Sequence, residues 1–569
     1  MNASHIEDYR PLTILNTDFK LVTRNIANRL RPWTPDLLQN SQHCGLTGNS
    51  VFQAIATTRD AVAYAEVTRT PLCVLSIDFQ GAFDNLSHEY LFELLCKYGF
   101  SERFRKRMWS IYNNPTSSVQ VNGYRSYPFP IKSSIRQGCP LSVILFAMCL
   151  NALLLTLDNS LHGLRIGRHR ARASVVAYAD DVTISITGPT DKPKLQEAIH
   201  CYEAASGARV NFPKSRAIAF GSCEKSLEIM NIPYSDTATI LCFQIKRTVR
   251  ESALDSWTKT TAKIRSQAQE DYCRMLTLDK RIQFVHEYLL ARAWCVSQIY
   301  PPPGVCVRQL NTTNSSFVWK GDIFLMPVSA LYRPKEDGGW DINLLAKSHA
   351  LLLYRMRQQV MKPETIMAAW MRTWGLYEQG TNSPYRDIIP ENLEYLLRFA
   401  MDSAYVVIQE TMESKRAYKR RLYSTLYHIS RGATDEQEMR ITKIWPTTDW
   451  KNVWKNIHRT PVSGGMKAAW CKVINDTLPT NDRLHKIRMS PTDKCSNCCM
   501  HDTVQHRLIE CGEGPQIWKW TTQKVVHILR TTPNRTPSDR LLCPQRALWP
   551  HPRRRAVMWI LANVVFFRT

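Results

Sequence analysis

Three aspartates stand where a carboxylate is costly. Asp78 closes the apolar run PLCVLSID at 71–78, and Asp180 and Asp181 lie side by side between ASVVAY (173–178) and VTISIT (182–187). Two short apolar runs around a polar tip predict a β-hairpin, and the earlier run predicts a buried strand. If those strands share a sheet, the three acids converge on one edge. Converging carboxylates repel, and divalent cations are what neutralise them at neutral pH. A pair of such ions is the device for in-line phosphoryl transfer, in which one lowers the pKa of an attacking hydroxyl and the other stabilises the leaving oxygen. An Asp-Asp pair taken alone is also ordinary turn chemistry.

A second cluster has ligand chemistry of another kind. Cys495, Cys498, His506 and Cys511 are spaced C-x2-C-x7-H-x4-C, which can close a tetrahedral zinc site. Four protein ligands leave no open position, so such a site is structural, and the metal supplies folding energy that a short loop lacks. Cys499 and His501 are competing ligands. The basic neighbours Lys486, Arg488, Lys494 and Arg507 suit RNA or DNA, and Trp518 and Trp520 are either base-stacking or core residues.

Around these residues the chain reads as mixed α and β. The stretch 17–31 places Phe19, Val22, Ile26 and Leu30 on one helical face and Lys20, Arg24, Arg29 and Arg31 mostly off it. Helices are expected over 50–68, 87–98, 101–112, 140–158 and 192–207, and Asn122-Gly123 marks a hairpin within 118–131. Beyond about residue 246 helices dominate, with a break at Pro301-Pro302-Pro303-Gly304. The balance of 74 Lys+Arg against 49 Asp+Glu gives a formal charge of +25 over 569 residues, and a cationic excess of this size favours a polyanionic partner. Of the seventeen cysteines most sit in apolar or catalytic-looking stretches, and Cys73, Cys96, Cys139 and Cys149 have no paired spacing, which reads as a reduced, intracellular chain. No signal peptide is read, and no uncharged apolar run is counted as reaching the roughly 18 residues of a membrane span.

The motifs arrive in a fixed order. They are Arg10-Pro11-Leu12-Thr13 with Lys20 and Arg29-Leu30, Asp78-Phe79-Gln80-Gly81-Ala82-Phe83-Asp84, then Arg136-Gln137-Gly138-Cys139-Pro140-Leu141-Ser142 with Leu145-Phe146. Tyr178-Ala179-Asp180-Asp181, Ser206-Gly207 with Asn211 and Lys214, and Leu241-Cys242-Phe243 follow. This order resembles the reverse transcriptase domain of LINE-type (non-LTR) retrotransposons, closely over 9–245 and more weakly beyond, and the Cys/His cluster resembles the CCHC knuckle of such proteins. The resemblance implies an α+β, right-hand polymerase with fingers, a palm built on an antiparallel sheet and a helical thumb, then a mainly helical C-terminal region with a small zinc knuckle. The implied divisions are 1–245 (palm and incomplete fingers), 246–304 (thumb), 305–485 (helical linker), 486–520 (knuckle) and 521–569 (basic tail, cut short).

The resemblance also implies roles. Asp78 and Asp180 are the principal ligands of two Mg2+ ions, with Asp181 as the auxiliary acid. Lys214 protonates departing pyrophosphate from a turn steadied by Asn211. Phe83 lies beneath the incoming sugar and excludes a 2′-hydroxyl by clash, or else is simple core packing. Arg136, Gln137 and Gly138 belong to the loop that meets nucleotide and template, and Arg10 and Lys20 neutralise the triphosphate unless they are a solvated basic face. Leu241, Cys242 and Phe243 form the primer grip, and the stretch 281–303 tracks the minor groove of the hybrid.

The implied activity is RNA-directed DNA synthesis primed by a target DNA end, with RNA template, DNA primer and dNTPs as partners, no membrane, and a nuclear and cytoplasmic location. The oligomeric state stays open. Ser134, Asn49, Val143 and Cys242 depart from the residues usual in the family, which are glycine, arginine, proline and glycine. The start of the chain leaves no room for upstream fingers or an endonuclease, so a truncated protein is expected. The alternative is a catalytically decayed relic that only binds nucleic acid. A maturase-like or telomerase-like enzyme is a third reading, opposed by the thumb-to-knuckle order.

Overall fold

The computed structural model describes residues 13–46, 49–166, 171–223, 229–270, 276–319, 331–335, 339–360, 365–373, 415–430, 462–474 and 476–529, with short stretches at 362, 450, 453–454, 457, 560–562 and 564–565. Arg10, much of the expected helical linker 305–485 and most of the expected basic tail lie outside the described residues. Two compact units divide the chain. The first takes 1–256, 298–301 and 352–411, and the second takes 257–297, 302–351 and 412–569.

The first unit is built on a sheet, as expected of an α+β chain. Twelve strands are described: β1 (Leu72–Ile77), β2 (Thr116–Ser117), β3 (Gln120–Val121), β4 (Tyr124–Arg125), β5 (Phe129–Pro130), β6 (Leu164–Ile166), β7 (Ala171–Ala173), β8 (Val175–Tyr178), β9 (Asp181–Ile186), β10 (Arg216–Phe220), β11 (Ala238–Ile240) and β12 (Phe243–Ile245). Four make the central antiparallel sheet, in the order β10-β1-β9-β8. The β1 residues alternate between its two faces. Cys73, Leu75 and Ile77 join Val182, Ile184 and Ile186 in a core shared with helices Ser142–Ser160 and Asp191–Ser206. Leu72 and Val74, on the other face, are buried as well. A strand covered on both faces reads as a continuous apolar run, which is why LCVLSI carries no polar alternation.

Helix Ser142–Ser160 is long and apolar enough to cross a membrane by length and composition, although Asp158 ends its uncharged stretch at Leu157. Twelve of its residues are nevertheless buried in the core. Its one strongly polar buried residue, Asn151, is fully engaged. Asn151 Oδ1 accepts from the Gln39 N–H at 2.8 Å, and its Nδ2 donates to Leu37 O at 3.3 Å and to Tyr98 Oη at 3.0 Å. In helix Thr17–Leu30 the expected Leu30 is buried and Phe19 and Ile26 pack half-buried against the core, with Thr23 and Ala27 buried beside them, and Val22 alone departs from the expected stripe at 55% exposed. Lys20, Arg24 and Arg29 are exposed as anticipated.

Local signals set the ends of these elements. Ser50 and Gln53 form a capping box at the start of helix Val51–Thr68. Ser87 and Ser101 cap helices His88–Lys97 and Glu102–Tyr112. Asn122 and Gly123 have φ of 50° and 87° and join β3 to β4, the all-positive turn that an Asn-Gly pair favours. Distant segments are drawn into the first unit by a buried ion pair. The Arg59 guanidinium meets Asp60 Oδ1 at 2.8 Å and donates to Ile299 O at 2.6 Å, and Gln359 Nε2 donates to Asp60 at 3.4 Å. Burial pushes the Asp60 carboxyl above its ordinary pKa, and Arg59 opposes that shift.

In the second unit a helical run covers Leu278–Phe284, a π-helical turn at Val285–Leu289, and Leu290–Ser297. It buries Ile282, Val285, Leu289, Leu290 and Ala293. Helix Gly464–Ile474 packs on its first segment. Helix Gly514–Leu529 runs across residue 520, past the expected edge of the knuckle.

Replacing Asn151 with alanine strands the Gln39 amide, and should cost about 2 kcal/mol of stability with no change of fold, read as a lowered denaturant midpoint with unchanged helical content.

Candidate functional site

Antiparallel pairing decides where the three acids meet. β1 and β9 pair up to Ile77↔Val182, and β8 and β9 pair up to Tyr178↔Asp181. One further step along the first register sets Asp78 opposite Asp181, and residues directly opposed in an antiparallel pair project from the same face. Asp180 is the second residue of the two-residue turn between Tyr178 and Asp181. Asp78, Asp180 and Asp181 are therefore brought to one end of one sheet by neighbouring strands, as the sequence reading requires.

The turn is held under strain. Ala179 has φ of 55°, a region in which a Cβ costs roughly 1–2 kcal/mol. What opposes that cost comes from residues the sequence reading left unassigned. The segment 41–43 pairs with the outer edge of β8: Ala177 N–H donates to Ser41 O and His43 N–H donates to Ala177 O, both at 2.8 Å. Gln42, fully buried, then offers its Oε1 to the Ala179 N–H at 3.2 Å and to the Cys44 N–H at 3.0 Å. Cys44 lies against Tyr178 and Asp180, and burial first, then Asp180, raises its thiol pKa. Beside it, Lys362 Nζ donates to Asn49 Oδ1 at 3.4 Å. That lysine adds to burial in driving His43 down to about 4. A cation from a distant segment thus stands at the place where position 49 lacks one.

On the other side of β1, the Asp78 backbone is pinned by the loop that carries Lys214. Asn211 N–H donates to Asp78 O at 2.7 Å, and Asp78 N–H donates to Ser215 Oγ at 3.1 Å. Asn211 O accepts from the Lys214 and Ser215 amides, and Asn211 Oδ1 accepts from the Lys214 amide at 3.3 Å. Asn211 therefore does steady the turn, and Lys214 sits exposed on it. Ser215 is the residue that local pattern did not reveal.

The loop 134–138 is hooked to the turn after β1. Ile135 N–H donates to Phe83 O at 2.7 Å, and Gln137 Nε2 donates to Asp84 Oδ2 at 3.1 Å. Phe83 is half-buried and stacks on Phe146, centroids 4.4 Å apart, so it packs on the core with part of its ring still accessible. The Arg136 guanidinium lies over the Phe19 ring at 5.1 Å, next in sequence to exposed Lys20. Gly138 has φ of 95°, and a Cβ there would meet Thr13 O at 3.2 Å, which accounts for glycine at that position. Ser134 and Cys242 depart from the family glycine at places where φ is 111° and 71°. Cys242 follows Leu241 (φ 49°) in the two-residue turn from β11 to β12. Its side chain is exposed, so it strains the turn without blocking it.

In the second unit, Cys495, Cys498, His506 and Cys511 place one ligand atom each within 4.8 Å of one another. Cys495 Sγ lies 3.6 Å and Cys498 Sγ 3.8 Å from Cys511 Sγ, and Cys498 Sγ lies 3.1 Å from His506 Nε2. Four ligands at zinc–sulfur lengths of about 2.3 Å give tetrahedral sulfur–sulfur edges of about 3.8 Å, so the set fits that ion. The backbone N–H of Asn497, then His506, hold the Cys495 thiol below its ordinary pKa. The competing residues are placed elsewhere: His501 Nε2 meets Asp482 at 3.1 Å and Asp493 at 3.3 Å, and Cys499 is exposed with φ of 61°.

Two neighbours change meaning. Arg507 is bound to buried Asp502 and to Pro479 O, so it is a structural cation rather than an open basic flank. Burial acts to raise the Asp502 pKa, but Arg507 and the Asn481 amide outweigh it and leave the group below its ordinary value. Trp518 is buried, its Nε1 donating to Leu508 O at 2.7 Å, whereas Trp520 is half exposed under the Lys524 ammonium.

With that geometry, residues 2–251 match the family described as reverse transcriptase (RNA-dependent DNA polymerase), and residues 424–518 match the family described as zinc-binding in reverse transcriptase. The transposon TX1 uncharacterized 149 kDa protein of Xenopus laevis is 32% identical over 217 residues, 38% of this chain and 17% of that protein. The retrovirus-related Pol polyprotein from type-2 retrotransposable element R2DM of Drosophila melanogaster is 27% identical over 188 residues, 32% of this chain and 17% of that protein. The matched stretch thus spans about a sixth of the length of each of these relatives. Telomerase from Candida tropicalis in complex with a fragment of telomeric RNA aligns with 72% of this chain and 56% of its own, at 13% identity and a TM-score of 0.33.

Replacing Gln42 with alanine should cost about 1–3 kcal/mol and speed hydrogen exchange at the Ala179 amide, whereas Ala179→Gly should stabilise the hairpin by about 0.5–1 kcal/mol. Unchanged exchange at Ala179 in the Gln42 variant would show that the clamp carries no load.

Proposed function

We propose that this chain is an RNA-directed DNA polymerase of the LINE-type retrotransposon kind, adding dNTPs to the 3′-hydroxyl of a DNA primer on an RNA template, a reading supported by the reverse transcriptase family match and the retrotransposon relatives. The observation that carries this reading is the β1–β9 register, which brings Asp78 to the Asp180-Asp181 turn. On this reading Asp78 and Asp180 are the principal holders of two Mg2+ ions, with Asp181 as the third acid. Ions bound there would activate the primer hydroxyl and stabilise the leaving pyrophosphate.

The chain's own residues do the remaining work. Lys214, on a turn stitched to the Asp78 backbone, gives a proton to the departing pyrophosphate. Phe83, braced by Phe146, keeps a 2′-hydroxyl out of the sugar site by its bulk. Arg136, Gln137 and Gly138 hold nucleotide and template from a loop anchored on Asp84, and Arg10 and Lys20 offset triphosphate charge. Leu241, Cys242 and Phe243 hold the primer end, and the stretch 281–303 follows the hybrid's minor groove. A target DNA end as primer, the divisions at 245, 304, 485 and 520, and a nuclear and cytoplasmic location complete this reading.

We further infer that Cys495, Cys498, His506 and Cys511 hold one structural zinc ion, supported by their spacing and by the tetrahedral edges they present.

Purified protein with Mg2+ should extend a DNA primer on an RNA template. Asp180→Asn should abolish that extension while leaving thermal unfolding intact; a fully active Asp180→Asn protein would remove the assigned metal role, and an inactive but folded wild type that binds RNA would favour the decayed-relic reading. Elemental analysis should find about one zinc per chain, lost in Cys498→Ala, with faster hydrogen exchange over 495–511. A zinc-free protein with full protection there would remove the zinc assignment.

A further inference from the structure

The ribbon from β2 to β5 stands out from the core. Every residue from 119 to 130 is exposed. The exposed side chains include Val121 at 61%, Tyr124 at 84% and Tyr127 at 93%. Val121 and Tyr124 are directly paired across the ribbon, so they share one face and present an adjoining apolar pair to solvent. A two-stranded ribbon with no core behind it is marginal in water, and exposed apolar side chains gathered on one ribbon mark a surface for a partner.

Charge identifies the partner. From residue 103 to residue 157 the sequence contains seven Arg and Lys and no Asp or Glu. Helix Glu102–Tyr112, which leads into the ribbon, supplies Arg103, Lys106 and Arg107, and the ribbon and its exit supply Arg125 and Lys132. Lys106 is paired with Glu102, but Arg103, Arg107, Arg125 and Lys132 make no ion pair among the described residues. Aromatic rings that stack on unpaired bases, set among cations that meet phosphates, form the chemistry of single-strand binding. An acidic peptide would meet the cations but would leave the tyrosine faces without flat partners.

We propose that the 116–130 ribbon and the basic helix before it form a docking surface for single-stranded RNA, with Tyr124 and Tyr127 as the stacking residues. The choice of RNA rests on the polymerase reading, in which the unpaired strand ahead of the catalytic edge is the RNA template. The ribbon re-enters the chain six residues before Arg136 of the template loop.

The test is fluorescence anisotropy of the full chain with labelled oligouridine RNA of about 15 nucleotides, matched oligodeoxythymidine and a blunt RNA–DNA duplex. Tyr124→Ala combined with Tyr127→Ala should weaken oligouridine binding about tenfold or more while duplex affinity stays within about twofold. Tyr124→Phe, which keeps the ring, should bind like wild type. Arg103→Ala with Arg107→Ala should lower the salt slope of oligouridine binding by about one to two. Unchanged oligouridine affinity in the tyrosine pair, an equal loss on the blunt duplex, or a loss confined to oligodeoxythymidine overturns the proposal. So does a wild-type dimer that the tyrosine pair breaks, since a second copy would then cover the ribbon. Primer extension on the same preparations separates the two readings. A wild type that binds RNA through the ribbon but cannot extend sinks only the polymerase, and an active enzyme whose tyrosine variants bind RNA normally sinks only the ribbon.

Discussion

Everything at the acidic edge depends on holding like charges together. Two carboxylates about 5 Å apart repel by about 3 kcal/mol at an effective dielectric of 20, and this edge gathers three. The opposing force is not local. It is the ladder from Cys73↔Ile186 to Ile77↔Val182, with β10 bonded on the other side of β1. A slip of one residue in that ladder would turn Asp78 to the opposite face and expose the apolar set that now fills the core. The burial of Cys73, Leu75 and Ile77 thus enforces the same register that gathers the acids.

Several turns of the first unit carry unfavourable backbone. Ser134, Ala179, Leu241 and Cys242 all have positive φ without being glycine. Each such residue persists only where its surroundings over-determine it. For Ala179 the surroundings are Gln42 and the paired segment 41–43, and for Ser134 they are the hydrogen bond its N–H donates to Leu86 O and the hook of the next residue onto Phe83 O. The departures from glycine at positions 134 and 242 leave the fold of those turns intact.

The two units are stabilised by different physics. The first has a large apolar core, a satisfied polar spoke in Asn151 and a buried Arg59–Asp60 pair that draws residues 299 and 359 to helix Val51–Thr68. The small region around Cys495 has little apolar mass. It relies on the Cys/His set, on the buried Asp502–Arg507 pair and on Trp518 seated beneath Leu508. A metal site suits such a region, because short segments cannot bury enough surface to fold on area alone.

Much of this was legible in the letters. The strand at 71–78, the hairpin around Ala179-Asp180, the Asn122-Gly123 turn and the metal-ligand spacing are all local patterns, and local patterns are written in neighbouring residues. The identity of each acid and thiol was likewise determined there, since chemistry belongs to the residue type. Tertiary structure alone decided the roles of Gln42, Ser215 and Asp84, whose partners lie far along the chain. It also decided that Trp518 is core, that Arg507 is spent on Asp502, and that the apolar 142–160 helix is buried in protein. The physical reason is the same in each case: a side chain's type sets what bonds it can make, but only the folded chain sets which partner is within reach and whether water still competes for it.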